Sequence, residues 1–189
     1  MKKKQCICVY CGTQQGHNPQ YVESATVLGR LFVEQNLDLV YGGASVGVMG
    51  ALARGVLEAG GHVTGIIPQF LNEQENVFPD ISKLIITQSM HERKNLMFNM
   101  ADGFVALPGG IGTLEELVEM LTWHQIGQHR KLIVLGNISG FWNPLIELIA
   151  HMSKSGFITK TTPVTFDVAE TPQDIVDKLC SNFAQVQSN

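Results

Sequence analysis

An arginine and a lysine stand side by side in the segment Met90-His91-Glu92-Arg93-Lys94, which has a helical pattern. At about 100° per residue, Arg93 and Lys94 fall on the same face of this helix as Met90 and Met97. A charge on an apolar face is costly unless it meets an anion. The pattern therefore predicts a carboxylate or a phosphate as the partner, and Glu116 is one candidate. In the alternative reading, Lys94 reaches solvent and Arg93 forms an ordinary structural salt bridge.

A second group of polar and small residues occurs in Pro108-Gly109-Gly110-Ile111-Gly112-Thr113-Leu114-Glu115-Glu116. Glycines at the start of a helix let backbone N–H groups approach an anion, and the helix dipole favours negative charge there. We therefore predict that Gly109, Gly110, Gly112 and Thr113 bind a phosphate group. The segment is not a P-loop, because no Gly-Lys-Ser/Thr follows the glycines. Glu116 also fits a capping box with Thr113, in which it would only bind a backbone N–H.

A further cluster of glycines follows another predicted strand, in Tyr41-Gly42-Gly43-Ala44-Ser45-Val46-Gly47. Gly42, Gly43 and Gly47 could form a second phosphate site at a helix N-terminus. A nicotinamide dinucleotide is disfavoured, because the segment follows the second strand and the next strand ends without a carboxylate. The alternative is a tight turn that allows close packing of a helix on the sheet.

These segments are separated by a regular alternation of apolar runs and helical patterns. We predict strands at residues 6–10, 37–41, 62–67, 83–86, 103–107, 132–135 and 164–166, and helices at residues 19–35, 47–59, 90–101, 112–126, 144–153 and 172–183. The alternation predicts an α/β fold, a Rossmann-like doubly wound parallel sheet in three αβα layers. A single domain over residues 1–183 and a flexible tail at 184–189 are expected. Ligands of such sheets bind at the carboxyl ends of the strands.

The composition excludes several classes of function. The chain has 189 residues with 13 basic and 17 acidic side chains, a net charge of −4, and no basic excess for binding nucleic acid. No apolar run is long enough for a membrane span, and the N-terminal lysines do not begin a convincing signal peptide, so we expect a cytoplasmic protein. The four cysteines lack the spacing of a metal site, so no metal is predicted.

The combination of Met90-His91-Glu92-Arg93-Lys94 with the Pro-Gly-Gly-x-Gly-Thr-x-x-Glu segment resembles the Lonely Guy (LOG) family of cytokinin riboside 5′-monophosphate phosphoribohydrolases, whose older label is possible lysine decarboxylase. The resemblance spans roughly residues 5–180 and implies a Rossmann-like homodimer with its active site near the interface. It implies catalytic roles for Arg93 and Glu116. It also implies substrate contacts from Lys94, Gly109, Gly110, Gly112, Thr113, Glu115, Gly42, Gly43, Gly47, Met90 and Glu75. Ala44 and Thr13-Gln14-Gln15 depart from the residues usual in the family.

The resemblance implies hydrolysis of the N-glycosidic bond of an adenine-type nucleoside 5′-monophosphate, without a metal or other cofactor. We expect Glu116 to lie in the first helical turn and to be ionised there, so that it stabilises a cationic transition state. Two alternatives are a carrier of a phosphorylated nucleotide or cofactor that performs no chemistry and a lysine decarboxylase with pyridoxal phosphate on Lys94.

Overall fold

The structure is a computed structural model that describes residues 4–72, 78 and 80–188. Strands and helices alternate along these residues. The strands are β1 (Gln5–Tyr10), β2 (Leu37–Tyr41), β3 (Val63–Pro68), β4 (Lys83–Thr87), β5 (Gly103–Ala106), β6 (Ile133–Gly136) and β7 (Asp167–Ala169). The helices are α1 (Gln20–Glu34), α2 (Gly47–Glu58), α3 (Gln69–Asn72), α4 (Met90–Met100), α5 (Ile111–Gln125), α6 (Asn143–Lys154) and α7 (Pro172–Ser188).

All seven strands form one parallel sheet in the order β4-β3-β2-β1-β5-β6-β7. The predicted doubly wound α/β architecture is therefore confirmed. The direction of winding reverses between β1 and β5, which are paired from Ile7 with Gly103 to Tyr10 with Ala106. A crevice opens at the carboxyl ends of the strands at such a reversal, and ligands of this fold class bind there.

The two faces of the sheet are covered by different helices. Along β1, Ile7 and Val9 belong to one core cluster together with residues of α1, α2 and α7. Cys8 and Tyr10 belong to a second cluster with residues of α4, α5 and α6. Because successive side chains of a strand point to opposite faces, this alternation gives the three predicted layers. The helices with the predicted chemistry, α4 and α5, therefore lie on the same side of the sheet.

Three details differ from the sequence-based expectations. The last strand is Asp167–Ala169 rather than 164–166, because its pairing with β6 selects Asp167 as the partner of Val134 while Val164 and Phe166 pack on the core before the strand begins. The short helix Gln69–Asn72 was not predicted. Helix α7 continues to Ser188, beyond the predicted end at residue 183.

None of the helices described by the structure combines the length and apolar character needed to cross a membrane.

Candidate active site

The loops that follow β1 and β5 meet at the reversal point of the sheet. The Gly12 amide donates a hydrogen bond to the Pro108 carbonyl at 3.1 Å. A Cβ atom at Gly12 would lie 3.2 Å from the Gly109 Cα, which is tighter than ordinary side-chain contacts allow. The two loops thus approach each other backbone to backbone, with little room for a side chain where they touch.

Helix α5 begins directly after this contact and directs its N-terminus into the crevice. Gly110 is the N-cap residue, and the first intrahelical hydrogen bond runs from the Leu114 amide to the Gly110 carbonyl at 3.1 Å. The amides of residues 111–113 precede that bond and are the groups that a helix start offers to an anion. Gly110, Gly112 and Thr113 line a cavity of about 380 Å³ at this position. The geometry therefore suits a phosphate group, as the sequence predicted.

A buried ion pair lies in the same cavity. Arg93 of α4 places Nη1 3.4 Å from Oε1 of Glu116 of α5, and the two side chains are only 8% and 7% exposed. The Arg93 Nε donates a hydrogen bond to the carbonyl of Ile66 at 3.0 Å, which fixes the plane of the guanidinium. The predicted inward orientation of Arg93 is confirmed, and Glu116, one of its candidate partners, is the carboxylate that it meets; the catalytic roles of both residues stay predictions.

The position of Glu116 in α5 corrects two expectations. Gly110 rather than Thr113 is the N-cap residue, so no capping box forms and Glu116 is free for the ion pair. Glu116 is the sixth residue of the helix rather than part of its first turn, and burial dominates its environment. Burial raises the pKa of Glu116 from 4.5 to about 7, although the nearby Arg93 opposes this shift. We had expected an ionised carboxylate. With a pKa of about 7, the carboxyl group of Glu116 is instead partly protonated at neutral pH.

Lys94 binds two other carboxylates of the same helix. Its Nζ lies 2.6 Å from Oε1 of Glu115 and 3.0 Å from Oε1 of Glu119. Burial by itself would lower the pKa of Lys94, but the hydrogen bonds to these two carboxylates outweigh it and raise the pKa above its ordinary value. Glu115 also lines the cavity. Two adjacent cations of α4 thus hold three carboxylates within five residues of α5.

The glycines that follow β2 serve mainly close packing in this structure. Gly43 and Gly47 adopt positive φ angles of 89° and 61°. At the start of α2, the amides of Val48 and Met49 donate to the carbonyls of Gln14 and Gly12 at 3.4 and 3.1 Å. Two amides that could have bound a phosphate are therefore used within the protein. Direct substrate contact by Gly42, Gly43 and Gly47 stays a prediction.

The remaining predicted residues are placed as follows. Met90 lines the cavity beside Arg93. Glu75 lies outside the described residues. Within the described parts of the chain, His, Cys, Asp and Glu side chains do not gather in threes at a place that could hold a metal ion.

Sequence reasoning missed several residues around the cavity. Met49 and Leu71 form an apolar wall of the cavity. Because both lie far from Arg93 and Glu116 in the chain, no local sequence pattern indicates that they line the cavity. Glu119 was also missed, although three carboxylates at positions 115, 116 and 119 of one helix offered a signal. Residues 115 and 119 are four apart, so they lie on one helix face and can bind the same cation.

Comparison with known proteins agrees with the family resemblance noted in the sequence. The family model described as possible lysine decarboxylase matches residues 49–179. The chain is 42% identical over 173 residues to the cytokinin riboside 5′-monophosphate phosphoribohydrolase LOG of Oryza sativa subsp. japonica, which covers 92% of this chain and 72% of the relative. It is 46% identical over 153 residues to the protein of the same description, LOG7, from Arabidopsis thaliana, covering 81% of this chain and 70% of the relative.

Solved structures share the fold at lower identity. The molybdenum cofactor binding protein of Rippkaea orientalis superimposes with a TM-score of 0.73 at 24% identity, over 97% of this chain and 99% of the other. The Moco carrier protein of Chlamydomonas reinhardtii gives the same TM-score at 22% identity and the same coverage of both chains. These two likenesses show the fold alone. The matched family model and the plant relatives establish that this chain belongs to the Lonely Guy (LOG) family.

Proposed function

We propose that this protein hydrolyses the N-glycosidic bond of a cytokinin or adenine nucleoside 5′-monophosphate, releasing the free base and ribose 5-phosphate. One observation carries the proposal: the buried Arg93–Glu116 pair and the N-terminus of α5 open into one cavity. A phosphate at the helix N-terminus would place the sugar of a nucleotide beside the carboxyl group. The LOG relatives are named for this reaction on cytokinin riboside 5′-monophosphates.

The roles of the residues follow from the charge changes of the reaction. Cleavage of the bond between C1′ and the base leaves positive charge on the sugar, which a nearby carboxylate stabilises. The base departs with the electron pair and takes up a proton from solvent. The oxygen of the attacking water bonds to C1′ and one of its protons passes to Glu116, which then returns that proton to solvent. A carboxyl group with a pKa of about 7 suits this proton transfer at neutral pH. Arg93 orients Glu116 through their ion pair.

Binding of the 5′-phosphate positions the reacting bond. Gly110, Gly112 and Thr113 line the cavity at the start of α5 and would hold the phosphate through backbone amides. Interactions with this remote group fix the sugar relative to Glu116 and reduce the entropy lost on reaching the transition state. Met49, Leu71 and Met90 offer an apolar surface for the base.

The two alternatives fit the site less well. A decarboxylase with pyridoxal phosphate needs a lysine amine that readily loses its proton, whereas Lys94 is held by Glu115 and Glu119 and its pKa is raised. Lys94 therefore does not fit the cofactor's aldehyde. A carrier would need the phosphate site but would have no use for a buried carboxyl that titrates near neutral pH.

The proposal extends to a homodimer in the cytoplasm. Exposed apolar side chains on α5 and α6, which cover one sheet face, and at the C-cap of α5 support a dimer: Ile111, Val118, Leu148, Met152 and Ile126. Free thiols at Cys8, Cys11 and Cys180 are typical of a reducing compartment. Sedimentation equilibrium of the purified protein tests the dimer, and a monomer at micromolar concentration would contradict it.

The proposed reaction is tested by incubating the protein with AMP and with isopentenyladenosine monophosphate and separating base from nucleotide by chromatography. Release of base from the monophosphates, and not from the unphosphorylated nucleosides, is the expected result. Tight nucleotide binding without release of base would instead favour the carrier. The ratio of the two rates measures the preference for a prenylated base.

A further inference from the structure

The contact between α4 and α5 contains one carboxylate more than it has cations. Arg93 pairs with Glu116 at 3.4 Å, and Lys94 pairs with Glu115 at 2.6 Å and with Glu119 at 3.0 Å. Lys94 is 13% exposed and Glu119 23% exposed, so this second pair is largely shielded from water. When Glu116 is ionised, the cluster therefore has a net negative charge next to the place where the proposed reaction develops positive charge.

Glu119 differs from the other two acids in how it is placed. Glu115 and Glu116 line the cavity. The Oε1 of Glu119 accepts a hydrogen bond from Lys94, while the Oε2 is buried and has no hydrogen-bond partner among the residues that the structure describes. Leaving a carboxylate oxygen buried without a donor costs stability, so the group is expected to have a function that offsets this cost.

We propose that Glu119 is a positioning residue of the hydrolytic site, which holds Lys94 against α5 and so fixes the helix contact that aligns Glu116 with Arg93. The inference rests on the proposed function. Lys94 and Arg93 are adjacent on α4, and Glu119 and Glu116 lie one turn apart on α5. An anchor at one pair therefore restricts the movement of the other.

The charge of Glu119 also acts on Glu116 directly. Burial has the strongest influence on the pKa of Glu116 and raises it. Among the charged groups that face Glu116, Arg93 and Lys94 lower this pKa, and Glu115 and Glu119 raise it. The thiol of Cys8 and the phenol of Tyr10 on β1, and the thiol of Cys11 directly after it, also face this region, and burial raises the pKa of each. These three groups therefore stay protonated near pH 7 and do not compete with the titration of Glu116.

The proposal predicts opposite effects for two single substitutions. Glu119→Gln removes a negative charge near Glu116, so the carboxyl should titrate at lower pH than in the wild type. Lys94→Met removes a positive charge, so it should titrate at higher pH. Lys94→Arg keeps the charge and should leave the titration near that of the wild type. A general loosening of the fold would not shift the titration of Glu116 in opposite directions in Glu119→Gln and Lys94→Met.

The titration is followed by NMR of the ¹³C-labelled side-chain carboxyl groups in the unliganded protein, with Glu116 assigned from the Glu116→Gln variant. Glu147→Gln, at an exposed position of α6, is the matched control and should change nothing. Unchanged titration of Glu116 in both Glu119→Gln and Lys94→Met, or a shift in the same direction, would overturn the inference. This readout does not depend on catalysis.

Kinetics give the second readout. In Glu119→Gln, kcat for base release should fall about tenfold while KM for the nucleotide changes less than about twofold, because the alignment of Glu116 is disturbed and the phosphate site is not. A raised KM with unchanged kcat would place Glu119 in substrate binding and contradict a positioning role. If the wild type releases no base, the proposed function fails, and the NMR titration still decides whether Glu119 and Lys94 control Glu116.

Discussion

Gly42 touches the guanidinium of Arg93 so closely that a Cβ atom at residue 42 would overlap the Arg93 Nη2. The same Cβ atom would lie 3.0 Å from the terminal carbon of Met49. The glycine after β2 thus makes space for the arginine, whose Nη1 lies 3.4 Å from Oε1 of Glu116. This relationship connects two motifs that are about fifty residues apart in the chain.

Replacing Gly42 with alanine should displace Arg93 without unfolding the protein. The atoms that a methyl group would meet belong to the flexible ends of Arg93 and Met49, which can move. We expect the melting temperature to change by only a few degrees, while kcat falls about tenfold or more because Glu116 loses its orienting partner. Calorimetry and steady-state kinetics on the same preparation test this, and full activity in Gly42→Ala would contradict it.

The buried ion pair itself should be essential for turnover. Glu116→Gln removes the group that accepts the proton, and Arg93→Ala leaves the carboxyl without the cation that orients it. We expect each variant to fold and to lose at least about a thousandfold in kcat/KM. The exposed pair Arg30–Glu58 on α1 and α2 gives matched controls, because Arg30→Ala and Glu58→Gln remove the same charges far from the cavity. Near-normal activity in either site variant would refute the proposed roles.

The rate should depend on pH through Glu116. If the carboxylate is the active form and its pKa is about 7, kcat/KM should fall as the pH decreases below 7. At two pH units below the pKa, about 1% of the enzyme has the active form, so the rate should be about a hundredfold lower. A rate profile between pH 5 and pH 9 measures this, and a constant kcat/KM from pH 5 to 7 would exclude Glu116 as the titrating group.

The same shift predicts how stability depends on pH. A carboxyl whose pKa is higher in the folded state binds more protons there than in the unfolded state, so it stabilises the fold at low pH. This contribution is complete below pH 4.5 and is lost as the pH rises through about 7. Relative to Glu116→Gln, the wild type should lose about 3 kcal/mol of unfolding free energy between pH 4 and pH 7.

Urea unfolding of wild type and Glu116→Gln at several pH values isolates this contribution, because all other titrating groups are common to both proteins. A difference in unfolding free energy that stays constant from pH 4 to pH 7 would show that the pKa of Glu116 is not raised.

Gly112 offers a test of the phosphate site. A Cβ atom there would meet no protein atom within 4 Å, and the residue lies in the first turn of α5, so the fold does not require glycine. Gly112→Ala should therefore keep or slightly raise the melting temperature. Because the new methyl group would enter the cavity at the helix N-terminus, KM for the nucleotide should rise about tenfold. Inhibition by ribose 5-phosphate should weaken in parallel, and unchanged values for both would place the phosphate elsewhere.

The sequence alone determined the architecture and most of the site. Continuous apolar runs separated by helical patterns specify a parallel sheet covered on both faces, because each strand must be buried on two sides. The strand-to-helix glycines mark the helix start that we predict to bind a phosphate, and the inward position of Arg93 and Lys94 requires acidic partners. These properties are local, so they can be inferred from spacing and residue type.

Only the tertiary structure decided which groups meet and what their protonation is. The N-cap of α5 falls at Gly110, which depends on the contact between the loops after β1 and β5 and removes the capping role of Glu116. The raised pKa of Glu116 results from burial by residues distant in the chain, which outweighs the charge of Arg93. The pairing of Lys94 with Glu119 likewise requires two packed helices, and packing across the sheet has no signature in a local sequence pattern.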